Sequence, residues 1–184
     1  MAYNPFNISD FVSNMTRDGA RPNLFDIVFS HLGDTFTLRA ESSALPGSSI
    51  GVATACFFGR EAKFAGNRRF DNWTVQVLVD EADYEAPGPR FALESWMSQL
   101  NSHVGNKRAA NNVSPNDYQK DASVRHYGKD GQVIATYRMM NCFPIDISAI
   151  NLAWDANDQI ERFSVTFAMQ WWESTTGSTD TSGA

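Results

Sequence analysis

Residues 160–172 read I-E-R-F-S-V-T-F-A-M-Q-W-W. Phe163, Val165, Phe167, Met169 and Trp171 alternate with Ser164, Thr166, Ala168 and Gln170. A period of two held over this length predicts one long strand, apolar on the face that meets a core and small and uncharged on the other. Residues 73–79 repeat the pattern, with Trp73, Val75, Val77 and Val79 set against Thr74 and Gln76. Strands of this kind suit a wall that packs on one side and stands against water on the other.

Further strands are expected on either side of these two runs. Arg21-Pro22-Asn23 precedes a strand over 24–30, Gly33-Asp34 reads as a turn, and 35–40 reads as the returning strand of a hairpin. Residues 41–51 read as a loop rich in Gly and Ser. Two weaker strands, 53–58 and 60–65, flank Gly59, and Gly66-Asn67-Arg68-Arg69 reads as a turn. Residues 80–89 form an acidic loop. The period then changes: Leu93, Trp96, Met97, Leu100 and Val104 recur at steps of three and four, predicting a helix over 90–104 with Pro89 at its first turn. A polar loop covers 105–119. Strands over 122–127 and 132–140 are joined at Lys129-Asp130-Gly131, where Asp-Gly favours a type I′ turn. Phe143-Pro144 reads as an interruption, 145–154 as a strand with an irregularity, and 155–158 as the turn into the last strand. The fold class is therefore mainly β, an antiparallel sandwich or barrel with one flanking helix. The expected organisation is an N-terminal arm over 1–20, a β domain over 21–173, and a polar Ser/Thr/Gly tail over 174–184.

A chain of 184 residues can bury a core without staples. Its net charge of −6 argues against a protein that grips nucleic acid through phosphate contacts. Cys56 and Cys142 lack metal-type spacing and read as reduced thiols of a protein that folds in the cytoplasm. There is no signal-peptide pattern at the N-terminus and no apolar run long enough to span a bilayer.

Little in the sequence points to chemistry. Asp80, Glu81, Asp83 and Glu85 could hold calcium or supply a hydrolytic carboxylate pair, but the spacing lacks the glycine and terminal glutamate of an EF-hand loop, and a solvated acidic loop is the better reading. Asp155, Asn157 and Asp158 read as a turn. His31, His103 and His126 are scattered, and no nucleophile elbow is present. Arg60, Lys63, Arg68 and Arg69 interleave with Phe58, Phe64 and Phe70; this small patch suits a charged protein surface better than a nucleic-acid site on an acidic chain. No catalytic, cofactor or metal residues are expected.

Taken in order, several short motifs resemble the tail tube proteins of contractile-tailed bacteriophages. The front half carries Ala20-Arg21-Pro22-Asn23-Leu24-Phe25, Leu45-Pro46, Gly59-Arg60, Ala65-Gly66, Arg69-Phe70-Asp71-Asn72-Trp73-Thr74-Val75 and Asp80-Glu81-Ala82. The back half carries 122–127, Phe143-Pro144, Leu152-Ala153-Trp154-Asp155, Asn157, Ile160 and 163–167. The resemblance spans about residues 20–173. It implies subunits that form hexameric rings, stacked into a hollow tube within a contractile sheath, their strands joining into one continuous inner barrel that conducts the genome into the host. The implied partners are further copies of the chain, the tail sheath protein, baseplate and tail terminator proteins, and a tape measure protein and genomic DNA in the lumen, held without sequence-specific binding. The implied location is the virion tail, assembled in the host cytoplasm. An acidic subunit suits such a conduit, since it repels phosphate. The segment 45–70 is the candidate ring-to-ring contact, with Leu45, Pro46, Ile50, Phe57, Phe58 and Arg60 its candidate residues. The competing expectation is a monomeric β-barrel that binds a small ligand between Trp73, Trp154 and Trp171.

Overall fold

The computed structural model describes residues 8–15, 19–84 and 88–175. The first half of the chain runs through α1 (Ile8–Asn14), β1 (Phe25–Val28), α2 (Gly33–Arg39), β2 (Ala40–Ser43), β3 (Ser48–Phe57), β4 (Arg60–Phe70) and β5 (Trp73–Leu78). After a single 3-10 turn at Glu81–Tyr84 come α3 (Pro89–Leu100), α4 (Pro115–Tyr118), β6 (Lys120–Tyr127), β7 (Val133–Ile147), β8 (Arg162–Ala168) and β9 (Trp171–Ser174). The main sheet has the order β1-β6-β7-β8-β5-β2, with β9 also paired to β7, and β3 and β4 form a separate two-stranded sheet. Every pairing is antiparallel.

The core lies where the two alternating runs meet. β5 and β8 pair in the register Trp73↔Phe167, Val75↔Val165 and Val77↔Phe163, so six apolar side chains fall on one face, and all six are buried. Thr74 and Thr166 face the other way and share a hydrogen bond at 3.2 Å. Phe29 closes on Phe167 edge-to-face at 5.2 Å between ring centroids, and Trp73 lies 5.5 Å from the same ring. α3 adds Leu93 and Trp96, and Trp96 Nε1 donates to the Tyr118 carbonyl at 3.0 Å, so the buried indole leaves no polar atom unpaired. Burial, aided by the negative charge of Asp121, pushes the Cys142 thiol up to about 12 and keeps it protonated and inert.

The structure departs from the sequence expectations at several elements. Residues 33–39 are a helix, not the second strand of a hairpin. Phe36 and Leu38 alternate with threonines as a strand would, yet only Phe36 enters the core, against Phe29, while Leu38 is exposed. Asp34 in the first turn and Arg39 in the last match the helix dipole. Phe143-Pro144 does not end a strand. β7 runs through it and changes partner there, pairing β6 up to Cys142 and β8 from Phe143 onward. Asn141, at φ 57°, makes the bend, and Pro144 sits beside a register shift, where its missing N–H costs no ladder bond. The strand expected over 145–154 stops at Ile147, and 148–161 is a loop. The long final strand breaks between Ala168 and Trp171, so Trp171 is exposed rather than buried. The helix predicted over 90–104 ends at Leu100, leaving Val104 in solvent. At Lys129-Asp130-Gly131 only Gly131 has positive φ, 75°, so the connection is a longer, three-residue loop with a glycine bulge rather than a two-residue type I′ turn. The N-terminal arm is described only in part, and α1 within it buries none of its residues. Residues 176–184 of the expected tail lie outside the described residues.

Candidate assembly surface

β3 and β4 make one long hairpin that leaves the body of the protein. Of the loop expected over 41–51, residues 41–43 belong to β2 and 48–51 to β3, and the turn expected at 66–69 lies within β4. The hairpin's ten-residue strand spans about 33 Å at the usual rise. Almost every residue along it is exposed. The two strands pair with each other from Ser48↔Phe70 to Phe57↔Arg60, and among the described residues neither pairs with another strand. The base is fastened by Asp71 N–H donating to the Gly47 carbonyl at 3.4 Å and by Trp172 Nε1 donating to the same oxygen at 3.3 Å. A hairpin of two strands with no core beneath it is marginal in water.

Its two glycine requirements are local and distinct. At the tip, Phe58 and Gly59 have φ 48° and 82°, the pair of left-handed residues that a two-residue type I′ turn demands. Gly59 meets that demand without strain, whereas Phe58 does not. Midway along, the register slips between Ile50 and Val52, and a Cβ on Gly66 would lie 2.9 Å from the Gly51 carbonyl oxygen. The strands cross too closely there for any side chain.

The expected contact residues divide on this hairpin. Phe57, Phe58 and Arg60 gather at the tip, where the Phe57 and Phe58 rings stand edge-to-face at 4.5 Å and Phe58 is 92% exposed. Ile50 and Leu45 are exposed nearer the base. Pro46 is buried just before the hairpin begins. Val52 and Phe64, exposed large apolar residues of the same hairpin, are not among the expected contact residues, although the sequence places Phe64 beside the basic patch. The alternation of Val52, Thr54 and Cys56 with Ala53, Ala55 and Phe57 was the available signal, and small residues on both faces disguised it.

The hairpin is strongly basic. Between residues 48 and 70 stand Arg60, Lys63, Arg68 and Arg69 against a single carboxylate, Glu61. The opposite end of β5 is acidic: residues 78–84 and 149–161 hold Asp80, Glu81, Asp83, Asp155, Asp158 and Glu161, and no Lys or Arg. The neighbouring Arg39 is held by Asp80 at 3.1 Å and by Asp83, so those two carboxylates have a structural partner, and Glu85 lies outside the described residues. Tyr84 donates to Glu161 at 2.8 Å, and that hydrogen bond is the main cause that raises the phenol above its ordinary value. Among the described residues no three His, Cys, Asp or Glu side chains gather as metal ligands would. The three tryptophans proposed as ligand-pocket walls do not come together. Trp73 is in the core, while Trp154 is completely exposed on the 148–161 loop.

The chain as a whole has relatives among known proteins. The phage tail tube protein family matches residues 4–175. The tail tube protein gp19 of Enterobacteria phage T4 is 35% identical over 173 residues, covering 89% of this chain and 99% of that protein. The tail tube protein of Serratia phage KSP90 is 24% identical over 127 residues, 69% of this chain and 68% of its own. Among solved structures, a chain of the extended sheath–tube complex of PVC, an extracellular contractile injection system, superposes with a TM-score of 0.62 at 18% identity, over 88% of this chain and 95% of that one. A chain of the sheath/tube terminator from an extracellular contractile injection system of the same name gives 0.59 at 15% identity, over 86% and 98%. These two share the fold. No support comes from any of these relatives for a small-ligand-binding barrel. The chain belongs to the phage tail tube protein family, and its role is that of a structural tail tube subunit.

Proposed function

We propose that six copies of this chain close into a ring and that the rings stack into the inner tube of a contractile phage tail, a conduit for genome ejection. The observation that carries this reading is the β3–β4 hairpin, an uncovered element whose strands pair with no other strand among the described residues and whose exposed apolar side chains another copy in register would cover. Strand edges at β1 and β2, the two ends of the main sheet, offer the same chance of pairing between neighbours. Identical head-to-tail contacts generate a ring when the rotation closes. The net charge of −6 per copy, multiplied round a ring, discourages phosphate from adhering, so DNA and a tape measure protein pass without specific binding. A sheath around the tube, a terminator at one end and a baseplate at the other complete the assembly. The virion tail is its location and the host cytoplasm the place where it is built. A role without catalysis fits the family.

Within this reading the hairpin makes the contact between successive rings, through Leu45, Ile50, Phe57, Phe58 and Arg60. The test is electron microscopy of purified protein carrying Phe58→Asp or a deletion of residues 48–51. Both variants are expected to give folded subunits without long tubes, because the hairpin contributes nothing to the core. Tubes of normal length from both would remove the hairpin from the contact.

A further inference from the structure

The main sheet folds over at β7. β6 and β9 pair with the first part of that strand, β8 pairs with its last part, and both halves of the sheet feed one core. Each half therefore turns a second face away from the core, and these two faces are unlike. On the half made of β1, β6, β7 and β9 the face carries charge. Arg125 Nε donates to Asp26 at 2.9 Å, Tyr127 donates to the same carboxylate at 3.0 Å, and Arg138 lies 3.9 Å from Glu173. On the half made of β2, β5 and β8 the face carries hydroxyls and an amide. Thr74 stands opposite Thr166 and Gln76 opposite Ser164, and Ser42 donates to Gln76 at 3.2 Å. Ser42 and Thr74 are exposed and the other three half-buried, so water reaches this face. Arg162, the one Lys or Arg within these three strands, is held by Glu41 at 2.9 Å, and Asp146, next to Thr166 across the ladder, adds a carboxylate.

We propose that the hydroxyl face of β2, β5 and β8 is the surface against which nucleic acid slides, and that it conducts because it offers phosphate no free cation. The charged face of β1, β6 and β9 then looks away from the bore. The proposal rests on the reading of the chain as a ring-forming subunit, and adds which face the cargo meets and why the cargo does not stick. Three observations converge on it. The first is charge. A grip on phosphate needs Lys or Arg, and the hydroxyl face has only Arg162, already neutralised by Glu41. The opposite face would set Arg138, half exposed and 3.9 Å from its acid, against the phosphates once per copy. The second is satisfaction. The Thr74 and Thr166 hydroxyls bond to each other at 3.2 Å, and Ser42 bonds to Gln76, so donors that could hold a phosphate oxygen are already engaged across the strands. The third is size. Side chains converge on the concave side of a closed wall, which favours short ones, and Ser42, Thr74, Ser164, Thr166 and Ala168 are all short.

Thiol labelling of assembled tubes tests the face. Wild-type tubes supply the background from Cys56, the exposed native thiol, since Cys142 is buried. Thr74→Cys tubes are expected to gain a label from a small maleimide and none from a maleimide carried on a globular protein, whereas the unassembled variant gains both. Arg138→Cys tubes, labelled from outside, are expected to gain both. If the wild-type chain forms no rings, the ring reading itself fails. If rings and tubes form but Thr74→Cys takes the bulky label, or is closed even to the small one, the assignment of this face alone is wrong. A second measurement addresses the chemistry. Thr74→Lys and, separately, Gln76→Lys put a free cation on the hydroxyl face of every copy. Tubes of either variant, assembled with a short DNA duplex at low salt, are expected to retain about tenfold more nuclease-protected DNA than wild-type tubes, and to release it as salt is raised. Protected DNA at the wild-type level in both variants would show that cargo does not meet this face and would overturn the proposal. So would strong retention by wild-type tubes, because the wall would then bind what it is meant to pass.

Discussion

Phe58 holds a backbone conformation that costs an aromatic side chain about 1–2 kcal/mol, and within its own subunit it recovers little. It touches Phe57 and otherwise faces solvent. Asn is the residue a type I′ turn prefers at this position. Phe58→Asn is therefore expected to relax the tip and slow amide hydrogen exchange over residues 52–65, while the melting of the body stays unchanged. The same substitution removes a side chain whose burial contributes about 1.5–3 kcal/mol, so the critical concentration for tube formation should rise roughly tenfold or more. An unchanged critical concentration, measured by sedimentation, would mean that Phe58 stays exposed in the tube. The tip carries an aromatic where local energetics favour asparagine.

At the scale of elements, the sequence was most legible where one period ran without competition. β5 and β8 show their buried faces directly, and α3 shows its own through Leu93 and Trp96. Legibility failed where long-range packing overrode a local pattern. In α2 the apolar residues alternate as in a strand, and the core contact of Phe36 with Phe29 goes with the helix. In β7 a proline reads as a break, yet the strand changes partner beside it. In β4 the run Gly66-Asn67-Arg68-Arg69 has turn composition, but the glycine answers to the backbone of Gly51 across the ladder, a constraint visible only once the strands are paired. The surface was half legible for the same reason. The tip residues stood out beside Gly59, whereas the acidic end of β5 is drawn from segments far apart in sequence, 78–84 and 149–161, which join only in three dimensions. The bulge makes a prediction of its own. Gly66→Val places a side chain against the Gly51 carbonyl, so the ladder beyond the slip should fray. Faster amide exchange over 52–65 with an unaltered melting transition of the body is the expected result. If exchange there is unaffected, the close approach of Gly66 to Gly51 does not constrain the ladder.

At the scale of the whole molecule, the basic hairpin and the acidic far end make each subunit electrically polar along β5. Contacts within a ring and contacts between rings should then answer differently to salt. Pairing of strand edges depends on backbone hydrogen bonds and apolar burial, which salt affects little or strengthens. Stacking through the basic hairpin, as proposed above, would set exposed charges against one another, and the screening length falls from about 10 Å at 0.1 M to about 3 Å at 1 M. Raising sodium chloride across that range is expected to shorten tubes and release rings, with ring diameter unchanged, as seen by electron microscopy and sedimentation. Tubes that lengthen with salt would show that the apolar groups at the tip dominate the joint and that the charges only set its direction. Rings that fall apart before tubes shorten would place the charge-dependent contact inside the ring, between neighbours rather than between layers.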